Sequence, residues 1–263
     1  MTRQLRCFTV LFVILLGMAV AGAAQAATLV ADYRFEGNDL GTDSSGMANH
    51  GTVQGGVTQV EGRLPGTSAA FFDGSSGTIR IDPLNGYTGL PGFTMSAWVK
   101  LDPGTGGFDG VISQDNGACC ETRLLLTAGH NPYINVHQHA DKNLTSTSLV
   151  VDQWEHIVLT GENVGGVGVA RVYINGVEIP GSPQNFELLG SSETFFTYLG
   201  AGEAGTAHLL RGALDDVQIY EGALTAGEVE TLFIGIPEPT SIVLAAIALS
   251  GLCLGPRRRR RSV

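Results

Sequence analysis

The stretch FTMSAWVKL, residues 93–101, places an apolar side chain at every second position. Phe93, Met95, Ala97, Val99 and Leu101 fall on one face of an extended strand, and Thr94, Ser96, Trp98 and Lys100 on the other. A period of two sustained this long describes a sheet with one buried face. Similar segments recur at short intervals: LVADYRFE, SAAFFDG, TIRID, GVISQ, TRLLLTA, YINVHQH, EHIVLTGE, ARVYINGVEI, FFTYLGA and ALDDVQIY. Val172 and Ile174 share a face in the same way. Glycine is abundant, 37 of 263 residues, and it punctuates these runs, as expected of an all-β protein. Asn175-Gly176 lies between two β-rich runs and predicts a tight type I′ hairpin. The one helical signal is TAGEVETLF, where Thr225 can cap the first turn and Glu228 complete a capping box. Some eleven strands and one short closing helix predict a two-sheet antiparallel jelly-roll sandwich.

Both ends read as targeting segments. Arg3 and Arg6 precede the apolar run Phe8–Val20, and Ala24-Gln25-Ala26 is a small-x-small cleavage site, so residues 1–26 read as a secretory signal peptide. At the other end, residues 235–263 carry Pro237-Glu238-Pro239, an apolar run from Ile242 to Leu254, and five consecutive arginines, Arg257–Arg261. The apolar run is shorter than the roughly 20 residues of an ordinary span. Its position and the arginines that follow read as a short membrane helix whose basic end stays on the cytoplasmic side. Between them, residues 27–234 are long enough for one domain with its own core.

Seven of the fifteen basic residues and one of the twenty-five acids lie in the terminal segments. The domain therefore keeps eight basic and twenty-four acidic side chains, a net charge of −16. That field opposes nucleic acid and anionic lipid and does not oppose neutral glycans.

Two polar clusters stand out. The loop DSSGMANHG, residues 43–51, concentrates Asp43, Ser44, Ser45 and Asn49. Calcium takes six to eight oxygens from such bent, acid- and amide-rich loops, although Asx turns made by Asp43 and Asn49 alone account for the same residues. On YINVHQHA, Tyr133, Asn135, His137 and His139 share one face, and Ile134, Val136 and Gln138 the other. If the second set packs inward, the first presents amide, imidazole and phenol groups that hydrogen-bond hydroxyls and stack on sugar rings. Arg123 and Asp141 are close in sequence. Cys119 and Cys120 are the cysteines left between the terminal segments; adjacent and exported, they form a vicinal disulfide, pair between molecules or stay reduced. The same face with its histidines is also open to transition-metal binding, and it is equally readable as a plain polar strand face. His50 and His156 read as structural.

Taken in order, DYRFEGN, DSSGMANHG, FDGS, FTMSAWVK, QWEHIVLT, VYINGVEI and LRGALDDVQIYEGALTAGEVETL resemble the concanavalin A-like lectin/glucanase superfamily, specifically its laminin G-like jelly rolls. The resemblance implies two curved sheets with a concave face that often binds carbohydrate. It also implies neighbouring first and last strands with a structural calcium between them. Asp215 or its alternative Asp216 then joins Asp43 and Asn49 as expected ligands, with solvation or pairing to Arg211 as the other account of the two acids. Strict strand alternation puts Asp215 and Asp216 on opposite faces.

The tail resembles the PEP-CTERM sorting signal, which implies recognition by an exosortase in a polysaccharide-producing Gram-negative bacterium. The glucanases of the superfamily carry an E-x-D-x-x-E stretch, which is missing here, as are G-x-S-x-G, H-E-x-x-H and a phosphate loop. The expectation is a non-catalytic surface or matrix protein, held by its tail before sorting, that binds an extracellular polysaccharide or a surface protein.

Overall fold

The computed structural model describes residues 26–104, 106–115, 122–136, 141–190 and 194–235. The terminal segments, Pro237, Glu238 and Pro239, the Cys119–Cys120 pair, and His137 and His139 lie outside these residues. In chain order the strands are β1 (Thr28–Tyr33), β2 (Gly51–Gln54), β3 (Val57–Glu61), β4 (Ser68–Asp73), β5 (Thr78–Ile81), β6 (Gly92–Leu101), β7 (Asp109–Asp115) and β8 (Thr122–Leu126). They continue as β9 (Pro132–Val136), β10 (Lys142–Asn143), β11 (Trp154–Val164), β12 (Val167–Ile174), β13 (Val177–Glu178), β14 (Gln184–Phe186), β15 (Phe196–Leu199) and β16 (Arg211–Glu221). One helix, α1 (Ala226–Ile234), follows.

The strands form two antiparallel sheets. The first has the order β13-β12-β11-β6-β16-β4-β3, with β1 also paired to β16 and β14 to β12. The second has the order β10-β9-β8-β7-β15-β5-β2. Phe93, Met95, Ala97, Val99 and Leu101 of β6 are buried, as their alternation predicts. They share one core with Ile79, Ile81, Ile112, Leu124, Leu126, Ile134 and Val136 of the second sheet. Each such side chain contributes about 1.5–3 kcal/mol on leaving water.

The predicted hairpin is present: Ile174 pairs Val177, and Asn175 and Gly176 take φ of 51° and 78°. The capping box is present too, with the Glu228 amide donating to Thr225 Oγ1 at 3.3 Å and the Thr225 amide donating to Glu228 Oε2 at 2.7 Å. α1 lies on the outer face of the first sheet, where Val229 and Leu232 meet Val158, Tyr173, Tyr220 and Leu224.

β16 organises the first sheet. β6 runs along one side of it, and the other side is divided between β4, opposite residues 211–214, and β1, opposite residues 217–221. At the division the register with β6 slips between Asp215 and Gln218, and Asp216 takes a φ of 43°. This bulge corrects the expected alternation. Asp215 Oδ2 accepts from the Arg63 amide at 2.9 Å, and Asp216 Oδ2 accepts from Arg63 Nε at 2.8 Å, so both acids reach the same residue. Arg211, the partner considered from the sequence, pairs with Asp102 at 3.0 Å.

Candidate functional site

β8 and β9 pair with Arg123 opposite Asn135 and Leu125 opposite Tyr133. Ile134 and Val136 point into the core, which turns Tyr133 and Asn135 to the outer face of the second sheet. Asp141, just ahead of β10, reaches over this face. Its Oδ1 accepts from Asn135 Nδ2 at 2.9 Å and from Arg123 Nη2 at 3.1 Å. The Tyr133 phenol bonds the same carboxylate. Burial raises the Asp141 pKa, but the bonds from Asn135, Tyr133 and Arg123 outweigh it and hold the carboxyl below its ordinary range. Tyr133 moves the opposite way, first through burial and then through Asp141. Tyr133 and Asn135, suggested by their shared strand face, and Arg123 and Asp141, suggested by proximity, thus form one bonded array.

Residues far away in the chain complete it. Glu203 Oε1 lies 3.7 Å from Arg123 Nη1 and 3.2 Å from His208 Nε2. Phe108 packs edge-on against Tyr133 at 5.0 Å and lies 5.3 Å from the His208 ring. Phe108 and His208 also wall a recess of about 430 Å³, together with Gly104, Gly106, Gly107 and Arg211. The side chain of Arg123 is only 8 % exposed, so its fork is fixed before any ligand arrives. The result is a polar patch with guanidinium, amide and carboxylate groups edged by three rings. Such a surface suits hydroxyl-bearing ligands that also present an apolar face. Phe108, Glu203 and His208 had no sequence signal, because Phe108 and His208 come from loops and Glu203 from a single 3-10 turn, all brought here by strand pairing.

The residues expected to hold calcium do not fit the ion. Asp43 Oδ1 accepts from the amides of Asp32 and Ser45, each at 2.9 Å. Its Oδ2 accepts from Ser45 Oγ at 2.8 Å and the Asn49 amide at 2.9 Å. A cation on this carboxylate would face those donor dipoles. Burial raises the Asp43 pKa, yet these bonds prevail and lower it. Asn49 Oδ1 accepts from the Asn85 amide at 2.7 Å, and its Nδ2 donates to the Val30 carbonyl at 2.7 Å. Asp215 and Asp216 are engaged with Arg63, as described above. Among the described residues, no three His, Cys, Asp or Glu side chains converge as a metal site. Asp43 makes an Asx turn with Ser45 and ties the loop to β1, while Asn49 makes no such turn and instead bridges Val30 and Asn85.

Two facing antiparallel sheets, one with a ring-edged polar outer face, define a lectin-type jelly roll. The chain belongs to the Concanavalin A-like lectin/glucanases superfamily, whose laminin G model matches residues 73–230. A relative 25% identical over 190 residues is Adhesion G-protein coupled receptor V1 of Danio rerio; the match covers 65% of this chain and 3% of the receptor. This chain therefore spans a small fraction of that relative's length. Among solved structures, domain 4 of AbnA, a GH43 extracellular arabinanase from Geobacillus stearothermophilus, in complex with arabinotriose, is 24% identical with a TM-score of 0.55. The alignment covers 79% of this chain and 99% of that one. The receptor binding domain of botulinum neurotoxin C/D mosaic serotype has a TM-score of 0.60 at 17% identity, covering 80% of this chain and 51% of that one. The binding domain of Paraclostridial Mosquitocidal Protein 1 has a TM-score of 0.58 at 21% identity, covering 78% and 52%. These likenesses establish the fold.

Proposed function

We propose that this protein is an exported, non-catalytic carbohydrate-binding module whose site is the outer face of the second sheet. The observation that carries the reading is the Asp141 array: one carboxylate binds Arg123, Asn135 and Tyr133 beside the rings of Phe108 and His208. Mixed donors and acceptors next to ring edges match the hydroxyls and C–H faces of a sugar. The acidic balance of the domain favours a neutral glycan over an anionic one. An arabinotriose complex of a structurally similar domain supports the same ligand class.

Two observations speak for binding without catalysis. Retaining glycoside hydrolysis needs two carboxylates about 5–5.5 Å apart that both reach the sugar. Of the adjacent pair Asp215 and Asp216, only Asp216 opens to a cavity, while Asp215 is buried. Ser96 Oγ and His156 Nε2 lie 2.8 Å apart, but Ser96 is buried and does not line the cavity that His156 borders, so no substrate carbonyl reaches the hydroxyl.

The terminal segments belong to the same proposal. Residues 1–26 direct export, and residues 235–263 hold the chain in the membrane until an exosortase recognises Pro237-Glu238-Pro239. The product is a cell-surface or extracellular-matrix protein bound to polysaccharide. Adhesion to a surface protein is the second reading, favoured by the adhesion receptor among the relatives.

The test is a glycan array probed with purified protein, followed by Asp141→Ala and Tyr133→Ala. Specific retention that is lost in both folded variants supports the module. A folded protein that binds no glycan refutes it and leaves the protein-adhesion reading. Mass spectrometry of the mature protein tests the termini: loss of the first 26 residues and of the arginine tail is expected, and an intact tail refutes processing.

A further inference from the structure

On the opposite sheet, a cavity of about 740 Å³ opens between α1, β1 and the bulge of β16. Its volume lies within the roughly 300–1,000 Å³ of small-molecule sites. Its polar wall consists of Arg34, Arg63, His156, Asp216, Gln218 and Tyr220. Leu29 and Leu232 supply an apolar side.

Three features of this wall are unspent. Arg34 donates through Nε to Asp32 Oδ2 at 2.7 Å, and Arg63 through Nε to Asp216 Oδ2 at 2.8 Å. Among the described residues no acceptor takes the terminal nitrogens of either guanidinium. His156 is 2 % exposed, and its Nε2 lies 2.8 Å from Ser96 Oγ, but its Nδ1 has no partner although the residue lines the cavity. An unpaired buried nitrogen of this kind is an uncompensated cost that a ligand hydroxyl would remove.

The wall is also rigid. The Arg63 guanidinium lies 4.6 Å above the Trp98 ring, and Trp98 stacks in turn on Phe233 of α1 at 5.6 Å. Burial first, and then Arg63, lower the His156 pKa to about 3, so the imidazole is neutral at any physiological pH. A neutral ring bonded on one nitrogen offers either a donor or an acceptor on the other, as its tautomer dictates.

The balance of charges selects the ligand. A formal anion drawn to the two arginines would meet Asp216 and, beneath it, Asp215. A cation would meet the arginines themselves. A neutral polyhydroxylated ring satisfies donors and acceptors together, with vicinal hydroxyls bridging an arginine fork and the Asp216 carboxylate. We propose that this cavity is a second binding site for a neutral saccharide, on the face of the sandwich opposite the Asp141 array. The inference rests on the carbohydrate reading given above. It adds that one domain holds two glycan segments at once and so cross-links chains rather than decorating one.

The test uses the full-length protein and a panel of neutral trisaccharides that includes arabinotriose, with a galacturonate trisaccharide as the anionic arm. Trp98 and Trp154 are the two tryptophans of the chain, so a Trp154→Phe variant makes Trp98 a single reporter inside this cavity. Calorimetry is expected to give two sites per chain for a neutral trisaccharide, and the Trp98 emission is expected to change on titration. In that background Thr231→Phe, which fills the cavity from α1 without adding an indole, should reduce the count to one and abolish the emission change. Arg34→Met, at a side chain 58 % exposed, should weaken the same site at least tenfold; it also leaves the buried Asp32 carboxylate without its guanidinium, so the melting temperature should fall while near-ultraviolet circular dichroism stays native. Asp141→Ala should leave the Trp98 response intact. One site, lost in Asp141→Ala and untouched by Thr231→Phe and Arg34→Met, overturns the second site and leaves the first. No binding by a folded protein overturns both. Preference for the galacturonate overturns the assignment of a neutral ligand.

Discussion

The buried carboxyl at the β16 bulge gives the sharpest prediction. Asp215 is 2 % exposed, and its pKa is raised from 3.8 to about 6, first by burial and then by the neighbouring charge of Asp216. The amides of Arg63 and Asp216 favour its ionised form but do not offset that cost. The folded chain therefore holds this proton more tightly than the unfolded chain, and protonation stabilises the fold. The sign follows: at pH 7 the fold carries an unfavourable buried anion, which is relieved as pH falls through about 6 toward 4. With about 1.4 kcal/mol for each factor of ten in the proton equilibrium, the full relief is about 3 kcal/mol.

Other carboxyls titrate in the opposite sense. Asp43 and Asp141 have lowered pKa values, so their stabilisation is present at neutral pH and is lost on acidification. A single pH profile mixes these effects, and a difference isolates Asp215. Urea unfolding of wild type and Asp215→Ala is to be measured between pH 8 and pH 4.5. The stability of wild type relative to the variant should increase by about 2 kcal/mol over this range, since the last part of the relief comes only below pH 4. His156 stays neutral in the fold down to about 3 but takes a proton near 6.5 once unfolded, so it lowers the stability of wild type and variant alike as pH falls and cancels in the difference. A gap that is constant with pH, or that shrinks on acidification, refutes the reasoning.

Other perturbations have equally definite outcomes. Thr225→Ala removes the N-cap of α1 and should lower stability by about 1 kcal/mol in urea unfolding. Gly200 has φ of 76°, and a Cβ there would lie 2.2 Å from the buried Phe72 ring, so Gly200→Ala should cost roughly 3 kcal/mol or more or prevent folding, as read by near-ultraviolet circular dichroism. Asp141→Ala leaves the nearly buried Arg123 with Glu203 at 3.7 Å, and should cost about 1–3 kcal/mol in thermal unfolding besides weakening glycan retention. Chelation of calcium should leave the melting temperature unchanged, since Asp43 and Asn49 are filled by protein donors; a drop of several degrees would show that the loop holds an ion after all.

What could be read in the sequence was whatever obeyed a local period. β6 was legible because it is central and buries every second residue against the other sheet. The Asn175-Gly176 turn and the Thr225 cap were legible because their chemistry is contained in a few residues. β2 and β3 were missed because their residues are almost all exposed, so no alternation between core and solvent marks them. β10 and β14 are two and three residues long and exist only through their partners. The Asp215–Asp216 bulge left no trace, since no glycine marks the positive φ at Asp216. Half of the Asp141 array was visible as a strand face, while Glu203 and His208 required the pairing of β15 with β7 to bring their loop across. His156 reads as structural, which its burial and its bond to Ser96 fit; its unpartnered Nδ1 beside a cavity is a feature that no sequence pattern carries.

The pairing of β1 with β16 has a mechanical consequence. The strands are antiparallel, with Thr28 opposite Glu221 and Tyr33 opposite Val217, so the two flanks of the domain leave from the same end of one ladder. A pull applied at Ala27 against the C-terminal flank loads those rungs one at a time, like a zip, and not together in shear. β1 is the first strand to peel. It carries Asp32, the anchor of Arg34, and with it one wall of the cavity on that sheet. A stretched chain would release whatever that cavity holds at low force, while the Asp141 face on the other sheet keeps its grip.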